Sequence, residues 1–194
     1  MVSGQLVYLL AVCGLVGAQI IISEGEGGSD VTQKMSSEDL VKQLMTRVEN
    51  LEREHEEREK SHVAFSASLN IAEQWNTYGP FVADATLVFR RVTTNIGEAY
   101  DPSTGIFTAP RKGLYYIRYT TCVGDSGSLN TALTKNGEVM FAVFDTRGSH
   151  GSGSNGMTLV LEQGDQLSIT LWREKSIFDQ SRLSTFSGFL LYPM

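Results

Sequence analysis

The chain has 194 residues, 41% of them hydrophobic and 20% charged, with a formal net charge of −6. That size suits one compact domain plus an additional segment, and the composition is that of a globular protein. The negative charge argues against a nucleic-acid partner, because phosphate recognition needs a basic face.

The charge is unevenly placed. Residues 19–62 carry 6 basic and 11 acidic side chains, a net of −5, whereas 63–194 carry 10 and 11, a net of −1. Two cysteines, Cys13 and Cys122, are too few for a disulfide scaffold. Cys13 lies in a segment expected to be removed, and Cys122 reads as a small buried apolar residue on a strand.

Residues 1–18 read as a secretory signal peptide. Leu6 to Val16 is an apolar run of suitable length, and Val16, Gly17 and Ala18 form a small-residue end suited to cleavage before Gln19. An uncleaved anchor is the competing reading, because MVSGQ carries no Lys or Arg and apolarity resumes at Ile20, Ile21 and Ile22. Gly14, Gly17 and Gln19 interrupt that run, which favours cleavage. No other stretch approaches transmembrane length, so a secreted, extracellular protein without membrane insertion is expected. Residues 19–36 are polar and glycine-rich and read as a flexible linker.

Residues 37–62 read as a short coiled-coil stalk. Ser36 and Ser37 offer a cap, with Glu38 and Asp39 in the first turn. Val41, Leu44, Val48 and Leu51 fall at the a and d positions of a heptad, and the register runs on through His55, Arg58 and His62, where the seam turns polar. Pairs such as Glu49 with Arg53 and Glu54 with Arg58 support the helix. Only about two heptads are apolar, which is marginal for a free-standing coiled coil. The stalk is therefore expected to zip because the following domains associate, a solvated single helix being the alternative. His55 and His62 share the a position; rings of histidine would suit a metal or a pH response, but wet histidines at a frayed end are the plainer reading.

From residue 63 onward the pattern is β. VAFSASLN alternates as a first strand, and 86–92 is rich in β-formers. Between Phe89 and Tyr119 aromatics alternate with polar residues, and Gly and Pro turns punctuate them. Residues 114–123 read as a strand. So do 130–135 and 138–144, which flank Asn136-Gly137, a strong two-residue hairpin turn. The nine residues GSHGSGSNG, 148–156, read as a loop. Strands at 157–161 and 166–172 flank a second hairpin turn, and 183–192 is the last strand. Regular turn spacing without helices points to an antiparallel sandwich.

The spacing within this region carries a signature: Phe89, five residues, Asn95, four, Tyr100, six, Phe107, five, Gly113, one, Tyr115, then Tyr119. It resembles that of the C1q domain, except that Ile117 stands where the family usually has Phe. The motifs Ala64-Phe-Ser-Ala67, Ala109-Pro-Arg-Lys-Gly113, Lys135-Asn-Gly137, Ser154-Asn-Gly156, Glu162-Gln-Gly-Asp165 and Ser184-Thr-Phe-Ser-Gly-Phe189 look most like the cerebellin branch. The likeness covers residues 63–194 and implies a ten-stranded jelly roll, shared with tumour necrosis factor ligands, that assembles as a homotrimer. Phe89, Asn95, Tyr100, Phe107, Gly113, Tyr115, Tyr119, Phe186 and Phe189 are then expected to form or define its core. Cerebellins carry a cysteine pair ahead of the domain; residues 19–63 here contain no Cys, so that linkage is absent. No collagen-like Gly-X-Y run occurs either.

Gly124-Asp-Ser-Gly127 is similar to a protease nucleophile loop, but the only histidine beyond residue 62 is His150 and the chain is too short for that fold, so a Gly/Ser loop and no enzyme are expected. Some C1q heads hold calcium, yet Gly151 falls where an aspartate ligand would be and Asp145 is the nearest carboxylate, so no cofactor or metal is expected. Arg147, His150, Arg173, Lys175 and Arg182 lie on expected loops, where binding residues tend to lie, although ordinary solvated surface is the plainer reading of each.

The resemblance implies a secreted, non-enzymatic trimeric binder of a microbial surface glycan or a cell-surface receptor, acting through avidity. A cerebellin-like signalling ligand or synapse organiser is the alternative, and heteromers with related chains stay open.

Overall fold

The computed structural model describes residues 36–59, 62–146, 148 and 151–194. The proposed signal peptide and the linker up to residue 35, with Cys13, lie outside the described residues. The chain divides into two compact units, Met1–Met45 and Thr46–Met194.

Helix α1 spans Ser37–Glu59. It starts where the chemistry dictates: the Asp39 amide donates to the Ser36 hydroxyl at 3.1 Å, and that hydroxyl donates to the Asp39 carboxylate at 2.7 Å. One of the amides that a helix start leaves orphaned, that of Asp39, is thus served, and the Leu40 amide makes the first i→i−4 bond to the Ser36 carbonyl at 3.0 Å. Glu38 and Asp39 sit at the positive end of the helix and Arg58 at the negative end.

The other described residues form strands, turns and connecting segments. The strands are β1 (Ala64–Ser68), β2 (Asn76–Tyr78), β3 (Ala85–Thr86), β4 (Arg91–Ile96), β5 (Tyr100–Asp101), β6 (Ile106–Thr108), β7 (Gly113–Val123), β8 (Leu129–Lys135), β9 (Glu138–Asp145), β10 (Ser152–Leu161), β11 (Gln166–Leu171), β12 (Ile177–Asp179) and β13 (Thr185–Pro193). All pairings are antiparallel. One sheet runs β2-β12-β7-β13-β1-β4, with β10 also paired to β7; the other runs β5-β6-β11-β8-β9, with β3 paired to β11. Two stacked sheets of this kind form a jelly-roll sandwich. Among the described residues thirteen segments stand where ten strands were expected, because β2, β3, β5, β6 and β12 are only two or three residues long.

β7 organises the core. Its side chains alternate, and Tyr115, Ile117 and Tyr119 point inward with no exposure. Phe65 stacks on Tyr100 at 5.1 Å and on Phe107 at 4.9 Å, and meets the edge of Phe186 at 4.8 Å. Ring pairs at these separations add to the burial of their area.

The signature spacing has a physical basis in these contacts. The Tyr100 phenol is buried and must bond. It donates to the Phe89 carbonyl at 2.9 Å and accepts from the Phe89 amide at 3.1 Å. The Asn95 side chain accepts from the Tyr100 amide and donates to its carbonyl, closing the turn between β4 and β5. At Gly113 a Cβ would come within 2.5 Å of Leu190 Cδ1 and 2.8 Å of the Tyr192 carbonyl, so only glycine lets β13 cross there.

Three expectations are corrected. Phe189 is not in the core: it is 45% exposed, because it lies three positions from inward-facing Phe186 and strand side chains alternate faces. Residues 152–156 are strand, not loop; they pair with β7 from Ser152↔Cys122 to Gly156↔Arg118, and the neighbour supplies the order that side chains do not. The expected strand over 86–92 breaks after Thr86. Leu87 and Phe89 are buried, and the Leu87 amide bonds Ile169 and the Arg90 amide bonds Leu69, outside any continuous ladder. The Asn136-Gly137 turn has both residues at positive φ, 52° and 88°, as a tight hairpin requires.

Candidate functional site: the outward sheet face and the loop end

Because β7 alternates, its even-numbered residues face away from the core. The register extends that face across four neighbours. One row holds Val160, Leu114 and Tyr192; the next holds Thr158, Tyr116, Phe189, Ala64 and Ile96. A third row holds Gly156, Arg118, Ser187, Ser66 and Thr94, and a fourth Ser154, Thr120, Thr185, Ser68 and Arg91.

The face therefore changes character along its length. Around the end of β13 it is apolar: Ile96 is 52% exposed, Tyr192 55% and Val160 47%. The Tyr116 and Phe189 rings lie 5.7 Å apart across the ladder. Further along, it carries hydroxyls and one central cation. Arg118 is exposed and donates to the Ser154 hydroxyl at 3.2 Å. Beyond that, Trp75 stacks at 4.1 Å on Phe178, which pairs with Cys122 at the far end of β7. Large apolar side chains contiguous on one sheet face are the usual mark of a contact surface.

A second apolar surface lies on the other sheet. β9 ends its strand order, and Phe144 and Val139 there are 65% and 50% exposed. On α1, Val41, Leu44, Val48 and Leu51 are exposed along one stripe, widened by Leu40 and Met45. In the heptad register Leu40 and Met45 occupy g and e, which the sequence reading passed over although the spacing contains them.

The opposite end of the sandwich gathers the loops. Ser126 is held by its neighbours: its amide donates to the Ser176 hydroxyl at 2.7 Å, and its own hydroxyl donates to the Ser128 carbonyl at 2.9 Å. Lys175 reaches the Ser128 hydroxyl at 3.0 Å. These bonds tie the loop after β7 to the loop after β11, a structural task for Ser126. The Arg173 amide donates to Asp84 at 2.8 Å, and Arg182 pairs with Glu73. Arg147 and His150 lie outside the described residues. Asp145 is buried, and a Cβ on Gly151 would stand 2.9 Å from its Oδ2. Among the described residues, no three or more His, Cys, Asp or Glu side chains gather as a metal would require.

Titration follows burial. Burial pushes the Tyr119 phenol up to about 12, against the opposing hydrogen bond to Thr131. Burial also raises the Cys122 thiol, so its thiolate is disfavoured. Asp165 moves the other way, to about 2, because Lys135 and Asn136 hydrogen-bond its carboxylate.

The sequence profile of the C1q domain family matches residues 64–191. The chain belongs to the C1q-domain family. Zebrafish Caprin-2 (Danio rerio) is 35% identical over 133 residues, which cover 67% of this chain and 14% of that protein. Complement C1q tumor necrosis factor-related protein 3 of Mus musculus is 33% identical over 109 residues, 55% of this chain and 44% of that protein. The chain thus spans less than half of either relative, and what they share is the C1q domain. Among solved structures, the globular domain of zebrafish complement 1qA superposes with a TM-score of 0.53 at 22% identity, over 68% of this chain and 99% of that one. Murine APRIL superposes with the same TM-score at 11% identity, over 68% of this chain and 100% of that one. At such identities the likeness is one of fold: the C1q head here is a jelly roll of the C1q and tumour necrosis factor type.

Proposed function

We propose that the protein is a secreted, non-enzymatic binder that works as a homotrimer of C1q heads. The observation that carries this reading is the exposed apolar half of the outward face, with Ile96, Phe189, Tyr192 and Val160. A single head leaves it in water. The β9 edge, with Phe144 and Val139, is a different patch on the same head. When one patch of a copy meets a different patch of the next, the contact is heterologous, and rotation closes it into a ring. Three copies are the smallest such ring. The stripe on α1 supports the same stoichiometry: apolar residues at e and g beside a and d give a seam wider than a two-stranded coil needs.

Trimerisation supplies the binding mechanism. Three weak sites on one rigid base engage a repetitive surface far more tightly than one does, with no new contact. The partner class is a cell-surface receptor or a microbial surface glycan, met by the loop end. Light scattering on the secreted protein over a hundredfold concentration range tests the assembly. A mass of three chains throughout supports it, and a monomer at micromolar concentration overturns it. A truncated protein beginning at Val63 is expected to stay trimeric; a monomer there would move the assembly determinant to the stalk.

A further inference from the structure

Residues 69–75, between β1 and β2, cross the loop end of the sandwich and are tacked down along their length. The Leu69 amide donates to the Ser184 carbonyl at 3.0 Å, and the Leu69 carbonyl accepts from the Arg90 amide at 3.4 Å. The Asn70 amide donates to the buried Asp179 carboxylate at 2.9 Å. The Asn70 side chain donates to the Asp179 carbonyl at 3.1 Å and accepts from the Tyr78 phenol. Further along, the Glu73 carbonyl accepts from the Ser181 amide at 3.1 Å, and the Glu73 carboxylate pairs with Arg182. A connection held at so many places keeps its shape before any ligand arrives, which lowers the cost of binding.

This connection borders a cleft of about 280 Å³, whose lining includes Asn70, Gln74, Trp75, Asn76 and Arg90. Each contributes a different chemistry. Trp75 lies against Phe178 with the two rings 13° from parallel, yet it is still 42% exposed. Gln74 and Asn76 are exposed, and each side-chain amide sets a donor beside an acceptor. Arg90 is exposed, its guanidinium engages no acceptor among the described residues, and it is the only charged residue in the lining. The nearby carboxylates are already engaged: Glu73 answers Arg182, and the two Asp179 oxygens accept from the Asn70 and Ser184 amides. Pockets for drug-sized ligands run to about 300–1,000 Å³, so this cleft takes a single small ring. A sugar ring lays its C–H face on an indole, and its adjacent hydroxyls match the paired donor and acceptor of an amide. A carboxylate on that ring meets the guanidinium fork with two parallel bonds. Free phosphate would leave the indole unused, and a neutral sugar would leave Arg90 unanswered.

We propose that this cleft binds one carboxylated sugar ring, a uronic acid residue of an extracellular polysaccharide, with Arg90 on the carboxylate, Trp75 under the ring and Gln74 and Asn76 on its hydroxyls. The inference rests on the reading above that the partner is met at the loop end, and it narrows the glycan partner to an acidic one. One ring held by these few groups binds at about millimolar strength. A polymer that repeats the uronate engages one cleft on each head and is held far more tightly.

The experiment titrates the full-length secreted protein with methyl β-D-glucuronide and with methyl β-D-glucoside, its neutral counterpart, followed by saturation-transfer NMR and tryptophan fluorescence. The chain has two tryptophans, so W172F leaves Trp75 as the reporter. The wild type is expected to prefer the glucuronide by about tenfold, the scale of a charge-assisted hydrogen bond, and Trp75 emission should change as the ring binds. R90Q should bind both glycosides alike, and R90K, which keeps the charge without the fork, should retain part of the preference. Both variants should melt with the wild type, because the Arg90 side chain carries no internal bond. Immobilised bacterial alginate and animal chondroitin, both uronate polymers, then separate a microbial source from a host one, and retention on either supports the site. Equal affinity for the two methyl glycosides, a preference unchanged in R90Q, or a silent Trp75 overturns the cleft and leaves the trimeric binder standing. A monomer that still prefers the glucuronide overturns the assembly and leaves the cleft standing.

Discussion

Replacing Phe189 by Asp should separate the head's fold from its assembly. Phe189 points outward on β13 and is 45% exposed in the single chain. An aromatic side chain buries about 200 Å² in full, so roughly 90 Å² of this ring remains to be covered by a neighbour. At about 25 cal/mol per Å² that is about 2 kcal/mol per copy, or about 7 kcal/mol over three copies. A carboxylate there loses this term and adds the desolvation of a charge, so the total penalty exceeds the ring's own share. The fold should tolerate the change, because nothing of the core rests on the outward side of β13. Light scattering from nanomolar to tens of micromolar should show monomer at concentrations where the homotrimer proposed for the wild type persists, with the far-ultraviolet dichroism of an intact sandwich. A trimer that persists at nanomolar concentration would refute the assignment of this face to assembly. A variant that loses its β signal would show instead that Phe189 supports the fold.

Phe186→Ala is the inward counterpart: Phe186 is fully buried against Phe65, Phe89 and Tyr100, and its truncation should cost roughly 3–5 kcal/mol in chemical denaturation. An unchanged midpoint would sink the core described here. Asp165 sets part of the acid limit. Its folded pKa is depressed to about 2 by Lys135 and Asn136, so its contribution is complete above the unfolded carboxylate value near ~4 and fades as pH falls through about 2. Asp165→Asn should flatten the stability profile between about pH 4 and 2 relative to wild type, and parallel profiles would reject the role. Cys122, buried with a raised thiol pKa, should resist alkylation at pH 8 in the native protein and react on unfolding; peptide mapping that finds it labelled at the rate of a free thiol would contradict its burial.

Much of the fold was legible along the chain because the interactions concerned are local or periodic. Asn136-Gly137 declares its hairpin through backbone angles that those residues tolerate best. The α1 start is written in Ser36 and Asp39, which bond within one turn. The alternation of Tyr115, Ile117 and Tyr119 marks an inward side before any partner strand is known. The spacing of Phe89, Asn95 and Tyr100 is legible as a family signature, and its reason becomes visible once the Tyr100 phenol is seen bonded to Phe89 on both sides.

What stayed hidden depended on which segments meet. Residues 152–156 offer almost no side-chain bulk, so no pattern within them reveals a strand. They are one because β7 presents a ladder to them and Gly153 lets them approach Val143 closely. Phe189 reads as core in a run of apolar residues; only the position of Phe186 relative to the other sheet settles which parity faces inward. The outward face itself is assembled from β1, β4, β7, β10 and β13, drawn from both ends of the domain, and Arg118 meets Ser154 across 36 positions of sequence. By itself, the sequence determined the strand and turn periods, the helix cap and the family. Only tertiary structure decided which faces pair, which parity is buried and where a lone cation is left among hydroxyls, because side-chain direction is a property of one strand whereas burial is a property of two sheets.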